Sequence, residues 1–336
     1  MILPRIAVVT DWPLLPKAKE ELHALLLANE IPLNTVEIFS VLDSPPPRGD
    51  LKLLCCGKKE AKATMPSYNF QPVAGAGRYL HPKWLGQVVR LAGDLRRLGP
   101  FSICLAAGTL ASWALLGTAK LTAIRGVPAM ADLIPGLKCL PTHSLNTMLR
   151  DWSLHVIVAA DINKLARERW FPELRRPQRE VWTDPVLADL VTFESRFLAP
   201  ADLIAFDIET GHNSITCVGF AGDPHHAICV PFFDERKPDN SFWPSAAEEK
   251  LAWLWVKHIL TGPKAKLAQN GLYDIQWLWK TMGIPVVNFA QDTMLQHHAL
   301  FPELPKDLGF LGSIYTDEAS WKLMRKRGKE ELKSDD

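Results

Sequence analysis

The sequence predicts an α/β protein with two domains, the first built on a parallel sheet and the second on a mixed sheet. Across residues 1–172, short apolar strands alternate with helical patterns. Such alternation is typical of a mainly parallel sheet covered by helices on both faces, an α/β/α sandwich. From residue 187 onward, three strands precede the next helix, which indicates a meander joined to strand and helix units. The stretch 173–186 is rich in proline and arginine, so we expect a linker there.

Hydrophobic periodicity and helix-terminal residues predict the individual elements. In the first domain, strands are expected at 5–11, 35–42, 101–108 and 137–142, and helices at 16–31, 81–99, 109–117, 145–151 and 153–170. Thr109 is expected to cap the helix that it begins. In the second domain, strands are expected at 202–210, 214–222, 226–233 and 264–269, and helices at 245–260 and 270–283.

Length and composition exclude several classes of protein. The 336 residues suit two domains that each bury a core, and 47% hydrophobic with 22% charged residues is typical of a soluble globular chain. No run of eighteen apolar residues occurs, so neither a membrane span nor a membrane partner is expected. The N-terminus lacks the charged region and cleavage site of a signal peptide, and the six cysteines form no C-x-x-C pair. We therefore expect a cytoplasmic protein with reduced thiols.

The charge distribution leaves the question of nucleic-acid binding open. A net charge of +1 gives no bulk attraction to a polyanion. Basic clusters at 173–180 and 321–333 are either local binding patches or solvated faces.

Two carboxylates stand side by side on the strand predicted at 202–210. Asp207 and Glu209 are two residues apart, so both project from the same face of an otherwise apolar strand. Neighbouring carboxylates repel each other unless a cation lies between them, and oxygen ligands favour Mg²⁺ or Mn²⁺. The non-functional alternative is a solvent-facing acidic pair of the kind found by chance on many strands.

A second polar pair opens the helix predicted at 270–283. Asn270 and Asp274 are four residues apart and hence share one face of the helix, where they can meet the strand carboxylates. Two divalent ions about 4 Å apart can activate a water, hold a scissile phosphate and stabilise a leaving 3′ oxygen. Taken alone, the pair is equally typical of a helix cap followed by an exposed acid.

The segments "AFDIET" and "NGLYDIQWL" resemble the first and second motifs of the DEDD superfamily of 3′→5′ exonucleases. More narrowly, they are similar to the proofreading domain of phage-type family A DNA polymerases, as is the stretch 291–322. The resemblance implies an RNase H-like mixed sheet across 187–336. It implies that the catalytic metal ligands are Asp207, Glu209 and Asp274, and that the substrate-binding residues are Thr210, Asn270 and Tyr273.

One carboxylate of that family's pattern is missing. The family carries it in a Y-x-x-x-D motif, whereas the residue four after Tyr315 is Ala319. The variant H-x-x-x-x-D pattern is approached only by His298 with Glu303. We therefore expect the exonuclease domain to be incomplete at its C-terminus, and a polymerase domain or a separate polymerase chain to supply the last ligand.

Residues 1–170 resemble the uracil-DNA glycosylase superfamily at "IAVVTDWP", "PFSICLAAGTLASWALLG" and "CLPTHSLNTMLRDWSLHVIVAADINKLAR". The resemblance implies a vestigial glycosylase site at Asp11, Ser40 and His143. Thr10, Asp11 and Leu14 stand where that family has Gly, Glu and Gly, and without those glycines the backbone cannot approach a flipped base closely. The four-cysteine iron–sulfur pattern of some relatives is absent, so no such cluster is expected.

Together these features predict a proofreading 3′→5′ exonuclease that hydrolyses DNA ends with two Mg²⁺ or Mn²⁺ ions, in the cytoplasm of a bacterial host if the chain is phage-encoded. The glycosylase-like domain is expected to be inactive and to serve DNA binding or assembly. One alternative is an inactive DNA-binding subunit that docks a separate polymerase chain. A second is residual uracil-DNA glycosylase activity.

Overall fold

The computed structural model describes residues 3–64, 72–74, 77–175, 177–211 and 213–316. These residues form two compact units. The first unit comprises the described residues up to 175 together with 309–316, and the second comprises 177–308. No helix in the described ranges combines the length and the apolar composition that a membrane span requires.

The first unit is built on a mainly parallel sheet. Its strands are β1 (Ile6–Thr10), β2 (Val36–Ser40), β3 (Cys55–Cys56), β4 (Tyr79–Leu80), β5 (Ile103–Ala107), β6 (Ala129–Met130) and β7 (Lys138–Thr142). Five of them form one sheet in the order β2-β1-β5-β7-β6, in which only the β6–β7 pairing is antiparallel. The short strands β3 and β4 pair separately.

Helices cover both faces of this sheet. They are α1 (Pro16–Ala28), α2 (Lys58–Thr64), α3 (Leu85–Leu98), α4 (Thr109–Leu116), α5 (Leu121–Ile124), α6 (Leu145–Met148) and α7 (Ser153–Glu168). Alternate residues of β1 enter two different cores, Ala7 and Val9 packing with α3 and α4, and Ile6 and Val8 with α1 and α7. Because successive strand side chains point to opposite faces, this division confirms the predicted α/β/α layering.

The second unit is built on a mixed sheet, as predicted. Its strands are β8 (Glu180–Trp182), β9 (Leu203–Gly211), β10 (Ser214–Ala221), β11 (His226–Pro231), β12 (Ala265–Ala268) and β13 (Phe289–Asp292), in the order β13-β12-β9-β10-β11-β8. The meander β9-β10-β11 is antiparallel, whereas β12 runs parallel to β9 and β13. The helices are α8 (Leu187–Phe193), α9 (Ala246–Thr261), α10 (Gly271–Met282) and α11 (Thr293–Leu300).

The predicted linker is wrong in part. Within 173–186, the strand β8 pairs in parallel with β11 and forms one edge of the mixed sheet. Three residues are enough for this pairing, and so short a segment leaves little hydrophobic periodicity for sequence analysis to detect.

The last described helix, α12 (Leu308–Tyr315), departs from the prediction that the second domain runs from 187 to 336. From residue 309 the chain belongs to the first unit. The buried ammonium of Lys164 donates to the carbonyls of Gly126 (2.8 Å) and Ser313 (2.6 Å). The guanidinium of Arg125 donates to the hydroxyl of Ser313 and lies 5.5 Å from the ring centroid of Phe310. These contacts satisfy carbonyls at the end of α12 and explain why it packs there.

Candidate active site

Strand β9 presents two carboxylates on one face and a hydrophobic row on the other. Ile204, Phe206 and Ile208 are buried in the core of the second unit, whereas Asp207 and Glu209 are exposed on the opposite face. Opposite the two acids on β10 stand Gly219 and Cys217. The structure therefore places both predicted strand carboxylates on one face, as the period of two requires.

Asp274 brings a third carboxylate to this strand. It lies in the first turn of α10, is only 3% exposed, and its Oδ1 accepts a hydrogen bond from the backbone N–H of Ile208 (2.9 Å). Ile208 is the residue between Asp207 and Glu209 in the chain. The pKa of the Asp274 carboxyl is raised to about 6, chiefly by burial and in addition by the charge of Asp207, against the lowering effect of the Ile208 N–H. A cation near Asp274 would favour its ionised form.

Two of the predicted substrate-binding residues contact each other. The hydroxyls of Thr210 and Tyr273 lie 2.8 Å apart, and Tyr273 is 45% exposed. Asn270 occupies the left-handed region at φ 58° immediately before α10, and its side chain does not cap that helix. The end of β9 and the first turn of α10 thus hold two hydroxyls beside the carboxylates.

The three carboxylates have the right ligand atoms for a divalent cation, but they are not arranged around a common point. Asp207, Glu209 and Asp274 offer the hard oxygen ligands that Mg²⁺ and Mn²⁺ prefer. Across the described residues, however, no three His, Cys, Asp or Glu side chains are grouped closely enough to hold a metal ion. The charge of Asp207 nevertheless raises the pKa of Asp274, so these two carboxylates lie near each other.

The family's fourth carboxylate has no counterpart in the described part of the chain. Tyr315 is exposed at the end of α12, and Ala319 lies outside the described residues, as does the basic cluster predicted at 321–333. His298 is exposed on α11, whereas its neighbour His297 is buried.

In the first unit, Asp11 is committed to a structural role. It is 4% exposed, and its Oδ1 accepts a hydrogen bond from the backbone N–H of Ala111 at 2.8 Å, in the first turn of α4. Gly108 has a φ of 127°, and a Cβ there would overlap the Asp11 carboxylate. Asp11 therefore caps α4, and the prediction that Thr109 caps this helix is wrong, because Asp11 already accepts from the N–H groups at its start.

The other two residues predicted for the glycosylase site follow different strands. Ser40 ends β2, and its carbonyl accepts from the Arg90 guanidinium at 3.1 Å. His143 follows β7 and is half-buried, and burial together with the charge of Arg125 lowers its pKa to about 4. His143 is therefore neutral at physiological pH. Because β5 separates β1 from β7, the three predicted residues follow three strands that are not all adjacent.

Comparison with known proteins gives matches only among solved structures. No protein-family model matches the chain, and no curated protein does. The EXD2 exonuclease domain soaked in Mn and GMP is 15% identical over 36% of this chain and 58% of that chain, with a TM-score of 0.27. RNase D of Escherichia coli, an exoribonuclease involved in structured RNA processing, is 16% identical over 42% and 34%, with a TM-score of 0.28.

Brucella melitensis NrnC with bound Mg²⁺ is 14% identical over 43% of this chain and 64% of that chain, with a TM-score of 0.27. The chain thus spans less than two thirds of the length of each of these structures. TM-scores this low do not establish a common fold.

Sequence analysis missed Asp292. This residue ends β13 and accepts hydrogen bonds from backbone N–H groups at the start of both α10 and α11. An aspartate directly before a helical pattern is a cap signal, and "DTML" carries it.

Proposed function

We propose that the second unit is a metal-dependent 3′→5′ exonuclease that hydrolyses terminal nucleotides. The observation that carries this proposal is the hydrogen bond from Ile208 to Asp274, which fixes a buried carboxylate on the strand segment that carries Asp207 and Glu209. The charge of Asp207 opposes ionisation of the buried Asp274, so a carboxylate at this position is unfavourable unless a cation compensates it. Hydrolysis with divalent cations gives this arrangement a function.

The residues divide into two groups in this account. Asp207, Glu209 and Asp274 would hold the cations. The chemistry that bound cations supply is activation of a water and neutralisation of charge on the phosphate. Thr210 and Tyr273 present hydroxyls that can donate to a phosphate or a sugar, and the exposed ring of Tyr273 can stack on the terminal base. Asn270, at the start of α10, offers an amide to the same nucleotide.

For the substrate and partner we propose DNA and a polymerase, either as a domain of the same protein or as a separate chain. The support is the resemblance of 291–322 to phage-type family A polymerases. We further propose that the first unit serves DNA binding or assembly. Because Asp11 is buried as the cap of α4, we do not propose glycosylase activity.

A second candidate function is that of an inactive subunit that binds DNA and docks a polymerase chain. The observation that favours it is that no three potential ligands are grouped at metal-binding distances in the part of the chain that the structure describes. Hydrolysis by the purified chain would exclude this candidate.

The test uses single-stranded oligonucleotides labelled at either end, incubated with the purified chain and Mn²⁺ or Mg²⁺. We expect a ladder of shortened products from the 5′-labelled strand, release of labelled mononucleotide from the 3′-labelled strand, and no reaction in EDTA. The proposal is overturned if neither metal supports hydrolysis, alone or with the partner polymerase added. Release of mononucleotide from the 5′ end would overturn the polarity.

A further inference from the structure

Asp292 connects the starts of two helices. It is the last residue of β13 and the N-cap of α11, and it is 6% exposed. Its Oδ1 accepts hydrogen bonds from the N–H groups of Met294 (2.9 Å) and Asn270 (3.1 Å), and its Oδ2 from that of Gly271 (2.9 Å). One buried carboxylate thus satisfies N–H groups at the N-termini of both α11 and α10, where negative charge is favoured.

These contacts hold the turn that connects β12 to α10. Asn270 holds a left-handed φ of 58°, a conformation that costs a non-glycine residue free energy and therefore needs support from its surroundings. Gly271 packs so closely on Phe289 that a Cβ would lie 2.6 Å from the ring. Asp292 bonds to the N–H groups of both residues, so it holds the turn at the point where the helix begins.

Asp274 lies one helical turn beyond this anchor. Its position relative to β9 depends on how the first turn of α10 is held, because Asp274 Oδ1 meets Ile208 N–H at 2.9 Å. A displacement of α10 by about 1 Å is enough to disrupt a constellation of ligands.

Asp292 does not replace the missing fourth carboxylate. Oδ1 already accepts from Asn270 and Met294, and Oδ2 accepts from Gly271. Both oxygens face backbone donors from a buried position, so neither is directed to a cation shared with Asp207 and Glu209.

We infer that Asp292 is a positioning residue of the exonuclease site, which holds the first turn of α10 so that Asp274 stays against β9. This inference rests on the proposed function. It assigns to Asp292 an effect on metal binding that is transmitted through Asp274, without contact between Asp292 and the metal or the substrate.

The test compares Asp292→Asn with a matched cap variant, Ser245→Ala. Asparagine keeps the volume of aspartate but replaces one acceptor oxygen with an NH₂ group, which cannot accept from a backbone N–H. Ser245 accepts from Glu248 N–H at 3.3 Å and caps α9, a helix that carries none of the proposed ligands. Both variants lose part of a helix cap, so both are expected to lower the melting temperature.

Two readouts separate positioning from stability. The first is the Mn²⁺ concentration that gives half-maximal hydrolysis of single-stranded DNA. The second is direct Mn²⁺ binding, measured from the loss of the electron paramagnetic resonance signal of the free ion. For folded Asp292→Asn we expect the required Mn²⁺ concentration to rise about tenfold or more, with binding weakened in parallel. Ser245→Ala is expected to retain wild-type values.

An Asp292→Asn variant with wild-type Mn²⁺ dependence, or one that shifts no more than Ser245→Ala, overturns the inference and leaves the proposed function intact. If Asp292→Asn does not fold, Asp292→Ser decides by the same criterion, because its hydroxyl still caps α11 but is too short to serve α10 as well. Wild-type protein that neither binds Mn²⁺ nor hydrolyses DNA overturns the proposed function and this inference with it.

Discussion

The backbone N–H of Ile208 donates a hydrogen bond to Oδ1 of Asp274 across 2.9 Å. This bond joins the middle of β9 to the first turn of α10, and both residues are buried. The structural acceptor and the proposed metal ligand are therefore the same carboxylate. Its structural and chemical contributions can be separated by substitution, because an amide can accept the hydrogen bond but is a much poorer ligand for a divalent cation.

Asp274→Asn and Asp274→Ala are expected to differ in stability. Asparagine retains an oxygen for Ile208 N–H, whereas alanine leaves this buried donor without its partner, at a cost of about 1–3 kcal/mol. We expect Asp274→Ala to lower the free energy of unfolding of the second unit by about 2 kcal/mol, and Asp274→Asn to lower it by less than about 1 kcal/mol. Urea denaturation of the three proteins measures this. Equal destabilisation by the two variants would show that the hydrogen bond does not hold α10 against β9.

The hydroxyl pair of Thr210 and Tyr273 is predicted to act as a unit in binding the DNA end. Because the two oxygens are 2.8 Å apart, removing either one disrupts the arrangement of the other. We expect Thr210→Val and Tyr273→Phe each to raise KM for single-stranded DNA several-fold, which corresponds to about 1 kcal/mol of binding free energy. The double variant is expected to raise KM by less than the product of the two single factors. The exposed Tyr315, in the first unit, supplies the control Tyr315→Phe, for which no change is expected. Independent, multiplicative effects would contradict this account.

Asp11 makes the stability of the first unit depend on pH. Burial raises the pKa of its carboxyl from 3.8 to about 7, against the lowering effect of the N–H groups of Ala111, Leu110 and Thr109. The folded state therefore binds more protons than the unfolded state between these two values. The stability that Asp11 contributes is fully present below pH 3.8 and is lost as the pH rises through about 7.

We expect the free energy of unfolding of the first unit to fall by about 2–3 kcal/mol more in the wild type than in Asp11→Asn between about pH 5 and pH 8. Asparagine remains neutral over this range, so other titrating groups cancel in the comparison. Hydrogen exchange of the β1 and β5 amides follows the unfolding of this unit without interference from the second. Parallel pH profiles for the two proteins would contradict the assignment of Asp11 as a buried, titrating cap.

Sequence periodicity was sufficient to predict the features of the site that are local. The alternation along β9 predicts that Asp207 and Glu209 share a face, and the i, i+4 spacing places Asp274 in the first turn of α10. Both predictions use geometry that neighbouring residues determine. The parallel sheet of the first unit and the mixed sheet of the second were predictable for the same reason, because their longer strands and helices carry their own hydrophobic patterns.

The predictions that were wrong concern contacts between residues that are far apart in the sequence. Thr109 is a good local cap, but Asp11, about a hundred residues earlier, occupies the start of α4 instead. The apolar pattern of 308–315 predicts a helix without indicating which core it joins, and Lys164 determines that by donating to Ser313. Periodicity gives no information about contacts of this kind, so the domain boundary at residue 309 could not be predicted from it.

Lys164 is predicted to hold α12 on the first unit. Replacing its ammonium by a methyl-thioether in Lys164→Met leaves the carbonyls of Gly126 and Ser313 without these hydrogen bonds, at a cost of about 2–3 kcal/mol. We expect faster hydrogen exchange across 309–316 in this variant, with the amides of β9 and β10 unchanged. The exposed Lys19 on α1 gives the control Lys19→Met, which should exchange as the wild type does. If the amides of 309–316 in Lys164→Met exchange as slowly as in the wild type, Lys164 does not hold α12 on the first unit.

If Asp207, Glu209 and Asp274 form an exonuclease site, removing one of these carboxylates must slow hydrolysis. The decisive measurement is the rate at which Mn²⁺-loaded protein shortens a 5′-labelled single strand of DNA. This rate is compared between the wild type and the folded variants Asp207→Asn and Asp274→Asn. Each substitution preserves shape and removes one charge from the proposed ligand set. We predict hydrolysis by the wild type and a loss of at least about a hundredfold in each variant. Hydrolysis at the wild-type rate by either variant would contradict it.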